Sequence, residues 1–63
     1  MPTLKTKAGE TEVSAARVAR MARRMYRLGG EARRRNYAEK ARQRIEAGPV
    51  RKDDVAIVIA AGG

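Results

Sequence analysis

Large apolar side chains follow two patterns along the chain. Val13, Val18, Met21, Met25, Tyr26 and Leu28 recur with alanines between them, and farther on the set thins to Tyr37, Ala38, Ala41 and Ile45. Such spacing gathers side chains on one side of a helix. Residues 55–61 instead read VAIVIAA without a polar break. The pattern predicts two amphipathic helices and an apolar tail.

Helix signals refine the boundaries. Thr11 and Ser14 can each cap a helix over residues 12–28, a stretch of Ala, Arg and Met with no Gly or Pro inside it. Gly29 is a natural left-handed terminator. Glu31 suits the start of a second helix over residues 31–47, which Gly48-Pro49 stops. Residues 1–11 are expected as a flexible arm or an edge strand, with residues 3–7 as the pairing segment. In residues 48–63, a linker and tail, the β-branched Val55, Ile57, Val58 and Ile59 favour a strand, with a short helix capped by Asp53 or Asp54 as the alternative. The fold class expected is mainly α, a basic αα-hairpin with a short C-terminal strand-like apolar tail.

Size bears on how such a chain is completed. A domain of 63 residues buries only about 60% of its unfolded surface, and this one has no Cys and no His for a disulfide or a zinc site. The sequence therefore leads us to expect completion by self-association or by a partner. Val55, Ile57, Val58 and Ile59 are the candidate contact, adding as a strand to another chain's sheet edge or folding back over their own hairpin.

Charge changes the picture most. The net charge is +8, and residues 13–28 hold five Arg and no acid, while residues 31–47 hold six basic residues against three Glu. Both ends of the chain sum to zero. With residues set ~100° apart, Arg17, Arg20, Arg23, Arg24 and Arg27 fall within an arc of roughly 120°, opposite Val18, Met21 and Met25. Arg20/Arg24 and Arg23/Arg27 are like-charge pairs that an ordinary solvated helix would avoid. Arg also outnumbers Lys by 11 to 4. Planar bidentate guanidinium donors suit closely spaced anionic oxygens.

In the second segment Arg33, Arg34 and Arg35 are expected to extend this face around the Gly29-Gly30 turn. Residues 31–46, EARRRNYAEKARQRIE, resemble the arginine-rich RNA-binding helix of the lambdoid-phage antitermination proteins at Arg33, Arg34, Arg35, Ala38, Glu39 and Lys40. The resemblance stops at those positions and implies RNA beside DNA as a candidate ligand. Base stacking is not expected, because there is no Phe, Trp or His and both Tyr26 and Tyr37 fall toward the apolar side.

Catalysis is not expected. The chain lacks His and any paired-acid constellation, Ser14 has no base near it in sequence, and Gly29-Gly30 has no phosphate-loop context. No metal, cofactor or small-molecule substrate is implied. The amino-terminal residues do not resemble a secretory signal, and the apolar run is too short to span a bilayer, so a cytoplasmic, nucleoid- or complex-associated location is expected. The sequence thus points to a noncatalytic binding protein, a small regulator whose arginine face takes nucleic acid, DNA or RNA. The rival reading is a protein-interaction or assembly component, such as a phage-type inhibitor or a subunit docking on an acidic protein.

Overall fold

The computed structural model describes residues 1–62. Strands β1 (Thr3–Thr6) and β2 (Gly9–Glu12) form an antiparallel hairpin. Helix α1 (Ala15–Gly29), a 3₁₀ turn at Glu31–Arg33, α2 (Arg34–Ala47) and α3 (Lys52–Gly62) follow. The amino-terminal segment is thus a strand that pairs within its own chain. Thr6 closes the hairpin turn, its Oγ1 donating to the Gly9 carbonyl at 3.0 Å and accepting from the Ala8 amide at 3.1 Å. Lys5 faces Glu10 across the strands, an opposite-charge pairing that favours this register. Lys7 Nζ donates to the Glu46 carbonyl at 3.0 Å, tying the hairpin turn to the carboxyl end of α2, where a cation suits the helix dipole.

Of the two cap candidates, Ser14 is the residue used. Its Oγ accepts from the Arg17 amide at 3.1 Å, satisfying one of the free donors at the start of α1. The positive-φ terminator of α1 is Gly30 and not Gly29, which is the last helical residue. Gly30 has φ 63° and ψ −165°, a region essentially reserved for glycine, and its amide donates to the Tyr26 carbonyl at 2.9 Å. At Gly29 a Cβ would come within 2.7 Å of Arg33 Cδ, so the absent side chain lets Arg33 cross the turn. The second helical segment starts at Glu31 as expected, but its first turn is 3₁₀.

The tail corrects the sequence reading: residues 52–62 are helix α3, not a strand. Local β preference favoured a strand, but a helix apolar on every side is stable where it is surrounded. Surroundings are what α3 has. It contacts α1, α2 and both strands, whereas α1 and α2 pack far more on α3 than on each other. The direct face-to-face packing of an αα-hairpin is accordingly replaced by two helices held apart by a third. Val55 and Ala56 are fully buried and Val58 nearly so, in one cluster with Val13, Met21, Ala41 and Ile45, against which Leu4, Val18, Val50, Ile57 and Ile59 pack. Of the segment expected to meet a partner, Val55 and Val58 lie in this core, and Ile57 and Ile59 pack against it half-buried. A fully buried side chain of this kind, such as Val55, contributes about 1.5–3 kcal/mol by leaving water.

The radius of gyration, 10.7 Å, meets the about 10.6 Å expected of a folded domain this long. The single chain is thus as compact as a folded domain of its length.

Gly30→Ala is expected to destabilise the fold by about 1–3 kcal/mol, because alanine does not share glycine's access to that backbone region. Urea unfolding followed by circular dichroism measures it. An unchanged midpoint would show that the turn adopts another conformation at no cost.

Candidate nucleic-acid interface

One side of α1 carries the arginine series, and the core holds that side outward. Met21 and Met25 are buried against the rest of the molecule, so the opposite arc, with Arg20, Arg23, Arg24 and Arg27, is exposed. These four line a shallow groove together with Leu28, which is 55% exposed. Arg17 stands apart from them. Its Nη1 donates to Asp53 Oδ1 of α3 at 2.5 Å and its side chain is 34% exposed, so the residue joins α1 to α3. Arg20 Nη2 lies 4.0 Å from the same oxygen. Among the described residues, no carboxylate lies within ion-pair distance of Arg23, Arg24 or Arg27.

Arg33, Arg34 and Arg35 were expected to continue this face, and the structure separates them. Successive helical residues turn by ~100°, so three in a row cannot share a side. Arg33 passes over Gly29. Arg34 lines a recess with Tyr26, Gly30 and Glu31, and Arg35 lines another between α2 and α3 with Glu39 and Arg42. All three are exposed.

Two basic residues outside the expected set face the α1 series. Lys40 and Arg44 of α2 line a cleft with Arg24, Asp53, Met21 and Ile57. Their flank of the second helix was visible in the helical spacing. Its position across from Arg24 was not, because it depends on how α3 spaces the helices. Tyr26 is a further correction, since it is 73% exposed rather than turned into the core. On the wheel it lies ~60° from Arg23, at the border of the arginine arc.

Two neighbouring carboxylates organise the interface from below. Asp54 is 6% exposed, and Arg44 Nε and Nη2 each lie 2.9 Å from its Oδ1, joining α2 to α3. Such charge-assisted bonds offset the cost of removing the carboxylate from water. Both Asp53 and Asp54 occupy the first turn of α3, where negative charge is favoured by the helix dipole. Their role as helix-start residues was legible, but their partners were not, being 36 and 10 residues distant in the chain.

Comparison with protein-family models, with curated proteins and with solved structures returns no match. Among the described residues no group of His, Cys, Asp and Glu is arranged to hold a metal ion, and no helix is long and apolar enough to cross a membrane.

Asp54→Ala is expected to cost about 1–3 kcal/mol, the range for losing hydrogen bonds to a charged group. Asp53→Ala should cost about 1 kcal/mol or less, since the Asp53 side chain is 57% exposed and the pair is well solvated. Thermal unfolding of the two variants makes the comparison. Equal small shifts would mean that the Asp54–Arg44 pair does not hold α2 to α3.

Proposed function

We propose that the protein is a noncatalytic nucleic-acid-binding protein whose contact surface is the exposed side of α1. The observation that carries this reading is the run of Arg20, Arg23, Arg24 and Arg27 along one groove, with none of the last three paired to a carboxylate among the described residues. From Arg20 to Arg27 the helix rises about 10 Å. That spans about three phosphates along one strand. Phosphate contacts of this kind release counterions, so affinity falls steeply with salt. Lys40, across the cleft from Arg24, adds a contact from α2. Arg33, Arg34 and Arg35 supply secondary contacts on other sides. Arg17 belongs to the fold as much as to the surface, because Asp53 holds it.

A second reading is favoured by the cleft between α1 and α2. Exposed Leu28 lines it with Met21, Tyr37 and Ile57, and the cations of Arg24, Lys40 and Arg44 there outnumber the one carboxylate, Asp53. An acidic protein segment with an apolar face matches that lining. The two readings differ in salt response and in selectivity. On the second, DNA and RNA bind weakly, alike, and not at physiological salt.

Replacing Arg20, Arg24 and Arg27 together by Gln is expected to abolish tight binding, to flatten the salt dependence by about three phosphate contacts, and to leave helicity intact. Fluorescence anisotropy with labelled duplex DNA, hairpin RNA and single-stranded DNA across a salt series reads all of this except helicity, which circular dichroism supplies. Unchanged affinity in the triple variant would reduce the arginine face to a solvated surface.

A further inference from the structure

Tyr26 is a large, flat side chain left open to solvent where the arginine face ends. It is 73% exposed, and it lines a recess with Ala22, Met25, Gly30 and Ala60. Glu31 and Arg34 line the same recess. Arg23, one turn before Tyr26, is its neighbour on the helix surface. An exposed aromatic side chain thus shares a recess with Arg34 of α2 and neighbours Arg23 on α1, at the border of the arginine arc.

This combination has a specific complement. Every base has a π-face, but in a duplex both faces are covered by the neighbouring pairs, so only an unpaired base can lie on a protein ring. Guanidinium groups beside the ring can take the phosphates on either side of such a base. Glu31 sharpens the assignment. A carboxylate repels phosphate and accepts hydrogen bonds from base amino groups, so the recess suits a base edge and leaves the phosphates to Arg23 and Arg34.

Resting on the nucleic-acid reading, we propose that Tyr26 is a stacking platform for an unpaired nucleobase, so that the ligand is a single-stranded or looped nucleic acid rather than a fully paired duplex. Ala22, Met25 and Ala60 give the base an apolar surface beside the ring. The arginine groove then tracks the backbone leading away from it.

The sequence supplies a clean reporter. There is no Trp, and Tyr26 and Tyr37 are the only tyrosines, so in Tyr37→Phe the tyrosine emission comes from Tyr26 alone. This variant is titrated with a single-stranded oligonucleotide and with a blunt duplex of equal length, correcting for absorption by the nucleic acid, while anisotropy reports occupancy. The expected result is quenching of Tyr26 by the single strand and little change with the duplex at equal occupancy. In the otherwise unchanged chain, Tyr26→Ala should weaken single-strand binding about tenfold, with Tyr26→Phe restoring it and duplex binding unaltered. Single-strand binding that leaves Tyr26 emission and the Tyr26→Ala affinity unchanged would overturn the platform while the nucleic-acid reading stands. Absence of binding to either nucleic acid would overturn both. Because Tyr26 is mostly solvent-exposed, these substitutions leave the core in place, and circular dichroism checks it.

Discussion

A helix that is apolar on all sides must be covered on all sides, and α3 imposes that requirement on the rest of the chain. Its apolar side chains are packed among α1, α2 and the β-hairpin. The β-hairpin is accordingly not an appendage. Leu4 closes part of the core, the Val13 amide donates to the Pro2 carbonyl at 3.0 Å, and Lys7 fastens the turn to the end of α2. In a short chain with no cysteine, the most apolar segment is central rather than peripheral, and the other elements pack around it.

The same arrangement divides the charges. Arg17 and Arg44 are turned to structural use by two carboxylates of α3, whereas Arg23, Arg24 and Arg27 are left to solvent and to whatever anion meets them. Holding like charges along one helix costs stability through mutual repulsion, which a bound polyanion would relieve. The sacrifice is modest per pair, and the buried face of α1, through Val18, Met21 and Met25, offsets it.

Much of this was legible from residue pattern. The two basic helical segments, the cap at Ser14, the break at Gly29-Gly30 and the outward arc of arginines all follow from short-range periodicity and backbone preference. What was not legible depends on long-range packing. VAIVIAA carries the local preferences of a strand, and only enclosure by three other elements makes it helical. Tyr26 sits at the boundary of the apolar arc, where a rotation of α1 by a fraction of a turn decides between core and solvent, and that rotation is set by α3. The division of Arg33, Arg34 and Arg35 among three sides was contained in the helical repeat itself; treating them as one cluster overlooked it.

Asp53 and Asp54 are consecutive, yet they hold two different helices. One helical step of ~100° is enough to aim the first toward α1 and the second toward α2. The opening turn of α3 therefore works as a yoke. Two consecutive residues thus give α3 one attachment to each basic helix, a buried one to α2 and a solvated one to α1.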